Sequence, residues 1–415
     1  ITFDEIADGN LTITSGTIKL DGNYPTGSDN VALGNTALDA LTSGSRNTAI
    51  GSASLTANTS GQNNVSLGFN SMLANTSGSD TVAVGVGALD SNTTGSNNVA
   101  LGRSALQANT TASHITAVGY QAMYTNTTGY GTAVGAFSLD ASTTGTHNTA
   151  VGSSSLSANT SGSYNSALGH HALASSTTAS NNVAVGYQAG YANTTGTLNT
   201  FVGKEASRLN TTGNSNTSMG YQALEDTTTG SNNTAIGLQA LNKNTTASNN
   251  TAVGRSAGYS NTTGTENSSF GRSSLVSNTT GNYNTVIGGR GADAYATMNN
   301  NTTGSNNVAV GNGSLARNST GSHNTAVGYQ SGYSNTTGAR NLTVGPFSGY
   351  SLTTGTQNTF VGAYATGAGG AGSNITTGSK NTILGKYTGN QGGLDIRTSS
   401  NNIVLSDGDG NPRVI

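Results

Sequence analysis

Short bursts of alternating apolar and polar residues recur along this chain at a constant interval. In Asn92–Ala108, NTTGSNNVALGRSALQA, Val99 and Leu101 alternate with Asn98 and Ala100, the two-residue period of an extended strand, and Gly102 follows. A second apolar pair, Ala105 and Leu106, predicts a second short strand over Arg103–Gln107. Asn109, Thr110, Thr111 and the next equivalent of Gly95 predict the turn between coils, since Asn and Gly tolerate the left-handed backbone of tight turns. A Gly preceded by an apolar residue returns 21 times between Gly34 and Gly385, nearly always 17 residues apart. A fixed period of that length means stacked coils, each too small to bury its own apolar side. The expected fold class is all-β, a repetitive parallel β-roll or β-solenoid of about 21 coils.

The alternation also assigns faces. If Ala100 and Leu106 fill a thin interior, Val99 and Leu101 point outward, as do Val308 and Val310 in a later copy. Repeated along the array they make an apolar stripe that a soluble monomer rarely exposes, so the chain is expected to form a homo-oligomer. The Asn equivalent to Asn98, such as Asn307, recurs in 18 of the 21 copies, failing at Thr81, Ile115 and Gly131. Stacking predicts a ladder of these amides; the simpler reading, that Asn is a good turn residue, stays open. At ~4.8 Å per coil the array would be roughly 100 Å long.

Three segments follow. Residues 1–29 lack the repeat and read as a β lead-in or adaptor; 30–406 form the 17-residue-repeat shaft; 407–415 form a tail expected to lead to an absent assembly domain. The array has one 16-residue step (Gly119 to Gly135) and two 23-residue steps (Gly288 to Gly311, Gly362 to Gly385). These are expected to act as register marks, because a repeated chain that slips by one coil loses only its unmatched ends. The chain opens on Ile1 without a signal-peptide pattern, which reads as a fragment or processed chain.

Composition narrows the function. Only 8% of residues are charged, and the net charge is −2 with no basic run, so the electrostatic footprint of nucleic-acid binding is missing. No window approaches a membrane span. With no Cys, thiolate metal sites and disulfides are excluded, and no cofactor or metal is expected. His114, His147 and His323 share one repeat position, five before the Gly, and read as turn residues; His170 and His171 follow a Gly. Glu205, Glu225, Asp226 and Glu266 sit on different coils, so no acid pair for glycoside cleavage is visible and no enzyme is expected. Asp407-Gly408-Asp409-Gly410-Asn411 resembles part of a calcium loop but lacks its distal Glu, and a solvated turn is favoured.

Surface contacts are expected from the two long steps, since insertions in repeat proteins project as loops. The low-specificity candidates are Arg290, Asp293, Tyr295, Met298 and Tyr364, with a plain spacer irregularity the equal alternative. Tyr120, Tyr187, Tyr221 and Tyr329, just after the recurring Gly, could stack on sugars. Tyr191, Tyr259, Tyr333 and Tyr350 follow a Gly that replaces the usual Leu, and are expected to refill the space that Leu vacates.

The segment Asn97-Asn98-Val99-Ala100-Leu101-Gly102, with Asn47-Thr48-Ala49-Ile50-Gly51 and Asn324-Thr325-Ala326-Val327-Gly328, resembles the signature repeated in trimeric autotransporter adhesin heads. It departs from those repeats in its longer period. Repeats of this longer style are also similar to those of bacteriophage tail fibres. The resemblance covers roughly residues 30–406 and implies an intertwined homotrimeric rod, extracellular, on a virion tail fibre or as a cell-surface filament. The implied function is a structural and adhesive shaft of a phage tail fibre or spike that extends toward and contacts the host cell surface, with glycan a candidate ligand. The alternatives are a bacterial trimeric surface adhesin and, more remotely, an ice-binding solenoid suggested by the recurring Thr-Thr. Neither nucleic acid nor membrane insertion is expected.

Overall fold

The computed structural model describes residues 27–290, 295–362 and 369–414. The chain divides into two compact units, Ile1–Phe137 and Ser138–Ile415. Both are parallel β-solenoids built of the same coil, about 21 coils in all, and the described residues contain no helix.

Each coil contributes one strand, usually of three residues, to its unit's parallel ladder. Val99–Leu101 pairs with Thr116–Val118 so that Ala100 lies beside Ala117, and every side chain faces its equivalent in the next coil. The irregular steps leave this register untouched: Thr116 still pairs with Thr132 across the 16-residue step, and Ile287 with Val310 across a 23-residue one. The middle strand residue points inward and is fully buried, as at Ala49, Ala100, Ala184 and Ala252.

The second strand expected over Arg103–Gln107 does not form. Ser104 and Leu106 each take a positive φ of 55°, which folds the segment into a ribbon of turns. The ribbon bonds locally, Ala105 N–H to Gly102 carbonyl at 3.2 Å, and to the next coil, Leu106 N–H to Ala122 carbonyl at 2.9 Å. Its apolar pair still faces inward, with Ala105 and Leu106 both buried opposite the strand. The sequence carries a signal for this. At the inward left-handed site, that of Leu106, the apolar residue among the described coils is Leu or Met (Leu55, Met72, Leu89, Leu106, Met123) and not Val or Ile, because branching at Cβ is penalised at positive φ.

The Gly that marks each coil is conformationally required. Gly102 has φ +131°, and a Cβ on it would lie 2.5 Å from the carbonyl oxygen of Gly119. The Gly of the Thr-Thr-Gly turn is different. It is not left-handed, and its place is taken by Ala112, Ala179 and Ala247; the left-handed residue of that corner is Asn97, φ 59°.

The predicted Asn ladder exists, and a second runs beside it. Asn98 is buried; its Nδ2 donates to the Ala112 carbonyl at 2.9 Å and its Oδ1 accepts from the Ile115 N–H at 3.0 Å. Asn109, expected to serve only as a turn residue, is also buried, and its Nδ2 donates to Asn92 Oδ1 at 2.9 Å, as Asn92 does to Asn75 at 2.8 Å. The two ladders share acceptors: the Gly61 carbonyl takes Asn47 Nδ2 at 2.9 Å and Asn58 Nδ2 at 3.1 Å. Paired amides thus satisfy the carbonyls of a corner that has no strand partner.

Space inside the coil is set by pairs of residues. Where Phe201 or Phe360 replaces the inward Ala, the facing ribbon residue is Gly: a Cβ on Gly190 would lie 2.5 Å from Phe201 Cδ2, and one on Gly372 2.7 Å from Phe360 Cδ2. Elsewhere a neighbouring Leu occupies the space, Leu241 beside Gly258 and Leu315 beside Gly332. The Tyr residues that follow these glycines therefore do not refill the Leu space. Tyr191, Tyr259 and Tyr350 are half-buried in the ribbon wall and only Tyr333 is buried.

The last coils of the second unit hold a bulky core, with Leu352, Phe360, Ile375, Ile383, Tyr387, Ile396 and Val404 buried together. There a small hairpin, Asn390–Gln391 with Leu394–Asp395, interrupts the pattern. The tail does not simply leave the array: Pro412–Val414 returns antiparallel along Ile403–Ser406. The turn between them is held by Asp407, whose Oδ1 accepts from the N–H groups of Asp409 at 3.0 Å and Asn411 at 2.9 Å, and which pairs with Arg413. These contacts, the Asn411 N–H first, hold its carboxyl down at about 2.

Candidate interaction surface

The features that could meet a partner are the outward sides of the strands and ribbons. Along the strand wall the residue before the recurring Gly is apolar in every coil and reaches solvent: Leu168 is 51% exposed, Ile287 45% and Met219 43%. The residue before the middle one of each strand also faces out but is mixed, mostly Val or Thr, as at Val99, Thr116, Val183 and Thr200, with Ser at Ser166 and Ser268. Within each unit the stripe is therefore apolar throughout one row and mixed along the other. In-register pairing, Val185 beside Leu168 and Val202 beside Val185, turns single exposed side chains into an unbroken line.

Of the residues singled out for this seam, Val99, Leu101, Val308 and Val310 are half-exposed on that wall. Asn98 and Asn307 lie beneath it, fully buried, and Asn307 Nδ2 reaches the Gly321 carbonyl at 3.0 Å. Gly102 and Gly311, with φ of +131° and +115°, make the bend that ends each strand.

The loop candidates separate. Arg290 is exposed and its backbone N–H bonds the Arg272 carbonyl at 3.0 Å. Tyr295 is 37% exposed. Met298 is not a surface residue: it is fully buried, with φ 50°, in the ribbon position that Leu holds in other coils, packed with Leu275, Val286 and Leu315. The extra residues precede it, so the coil resumes its pattern at Met298. Asp293 and Tyr364 lie outside the described residues.

Just beyond the recurring Gly, exposed rings and cations line up. Tyr120 meets Phe137 edge-on at 5.2 Å; His170 stacks on Tyr187 at 5.7 Å; Lys204 lies 5.8 Å from the Tyr187 ring centre and 5.6 Å from that of Tyr221. His147 stacks over Tyr164 at 4.7 Å, and His114, His147 and His323 all occupy a left-handed turn position. Burial and the neighbouring His170 hold His171 below the usual imidazole range. Among the described residues no group of three or more His, Cys, Asp or Glu is placed to hold a metal ion.

The Thr that follows the turn Asn is committed to the stack in most coils. Thr93 Oγ1 donates to the Thr110 carbonyl at 2.9 Å, and Thr194 Oγ1 to the Thr211 carbonyl at 3.1 Å. Those hydroxyls are satisfied by protein rather than held out to ordered water. Charge pairs also follow the period: Arg208 meets Glu225 at 3.2 Å and Lys243 meets Asp226 at 2.9 Å, each one coil apart. Comparison with protein-family models and with curated proteins finds no match to this chain.

Proposed function

We propose that this chain is the shaft of an extracellular adhesive fibre, a homotrimer whose strand walls turn toward a common axis, of the kind a bacteriophage tail fibre or spike uses to reach and contact a host cell. The observation that carries this reading is the in-register apolar row before the recurring Gly. Covering the exposed part of one such side chain is worth about 1 kcal/mol, and a row repeated in every coil supplies enough to offset the cost of association. Coils that bond each other along a unit resist bending, and three copies of each surface group multiply weak contacts by avidity. The sequence resemblance to autotransporter adhesin heads supports the same trimeric shaft on a bacterial surface.

Sedimentation equilibrium tests the assembly. The expected mass is three times the 41.2 kDa chain, and replacing Leu168 and Val185 together by Lys should lower it while β-sheet circular dichroism stays unchanged. A wild-type chain that sediments as a stable monomer would overturn the reading.

A further inference from the structure

Charge is unevenly shared along this sparsely charged chain. Between Glu266 and Asp395 stand Arg272, Arg290, Arg317, Arg340, Lys380 and Lys386 against Asp293 alone, although the whole chain has a net charge of −2. Within that stretch five rings form one contiguous cluster. Tyr329 meets Phe347 edge-on at 5.3 Å, Phe347 lies 5.8 Å from Tyr350, Tyr350 stacks on Tyr333 at 5.0 Å, and Tyr333 meets Tyr295 edge-on at 5.3 Å. The Arg317 guanidinium carbon lies 5.2 Å from the Tyr333 ring centre and 5.8 Å from that of Tyr295.

Stacking of coils builds this arrangement. Tyr333 and Tyr350 hold the same ribbon position one coil apart, and the Arg317 N–H bonds the Tyr333 carbonyl at 3.0 Å. Tyr333, only 4% exposed, anchors the rings, while Tyr295, Tyr329 and Arg317 reach solvent. A hydrogen bond from Arg317 holds the Tyr295 phenol below its usual range. The strand and the ribbon enclose one core, so outward ribbon side chains such as Tyr350 and Arg317 point away from the strand wall. Burial of the strand wall leaves them open.

We propose that this platform binds an anionic saccharide, with ring faces against the C–H faces of a pyranose and Arg317 paired with its carboxylate. Ring faces alone repel an anion, because the aromatic quadrupole is negative over the ring. A guanidinium laid over two rings reverses that locally, producing a site with an apolar floor and a cationic edge. A uronic-acid sugar has the matching pair of features, an apolar face and a carboxylate. The biological meaning rests on the proposed fibre facing a cell surface; the binding itself does not.

Isothermal titration of the full chain with a galacturonate hexamer tests this, with the methyl-esterified hexamer and a thymidine oligonucleotide as comparators. The acid form should bind at least about tenfold more tightly than the ester, the loss expected when a charge-assisted hydrogen bond is removed. Arg317→Gln and Tyr295→Ala should each weaken binding by about tenfold or more with the thermal midpoint unchanged, and Lys204→Gln, in the separate Tyr187–Tyr221 cluster, should not. Absence of binding, equal binding of the ester, equal loss in Lys204→Gln, or tighter binding of the oligonucleotide would each overturn the proposal. Sedimentation of the same sample reports separately on the fibre assembly.

Discussion

Removal of one rung from the first Asn ladder, Asn233→Ala, probes what holds the coils together. Asn233 is fully buried. Its own N–H donates to Asn216 Oδ1 at 3.0 Å, its Nδ2 donates to the Ala247 carbonyl at 2.9 Å, and its Oδ1 accepts from the Asn250 N–H at 3.0 Å. After truncation Asn216 keeps the backbone donor, and the Ala247 carbonyl keeps Asn244 Nδ2 at 3.1 Å. The Asn250 N–H is left buried without an acceptor. An orphaned buried donor costs about 1–3 kcal/mol, and the lost amide bond adds about 1, so local stability should fall by about 2–4 kcal/mol. In a stack with nearest-neighbour coupling this loss is local and need not shift a global midpoint in proportion. Amide hydrogen exchange is the suitable assay. Protection at Asn250 should drop by roughly 30-fold or more, with smaller losses one coil away and none several coils off. Unchanged protection at Asn250 in a folded variant would refute the account of the ladder as a set of buried, singly satisfied donors.

Two other outcomes follow from the core. Gly190→Leu should destabilise the protein by several kcal/mol by overpacking against Phe201, and Phe201→Ala alone should cost about 3–5 kcal/mol through the cavity it opens. Together they should recover most of the loss, because Leu accepts a positive φ at this ribbon site in other coils (Leu173, φ 51°); a denaturation double-mutant cycle with additive losses would refute the pairing. Tyr387 is buried and donates to the Leu394 carbonyl at 2.9 Å, and desolvation, aided by Asp395, pushes its phenol up to about 12. The folded value lies above the unfolded one, so its contribution is complete below pH 10 and is lost as pH rises to about 12. Alkaline titration followed by exchange should show the last coils loosening in that window, less so in Tyr387→Phe.

The sequence by itself determined the period, the parallel stack, the position of the strand before each recurring Gly and the inward Ala. These follow from alternation, which is a property of the extended backbone and needs no knowledge of neighbours. It also marked the Asn98 rung, because a polar residue kept at an inward position requires a partner. Tertiary structure decided the rest. Whether Arg103–Gln107 extends or winds into a ribbon depends on the sign of φ at Ser104 and Leu106, and an apolar pair reads the same in either form. Asn109 looked like turn chemistry because its partner, Asn92, lies a whole coil away. Met298 looked like loop because the length of the insertion did not show where the pattern resumed. Gly190 is explained by Phe201 in the next coil and Leu173 in the one before, and the Arg317 platform by side chains from several coils. In each case the deciding contact is between coils, and a period specifies that coils stack without specifying how their unequal residues meet.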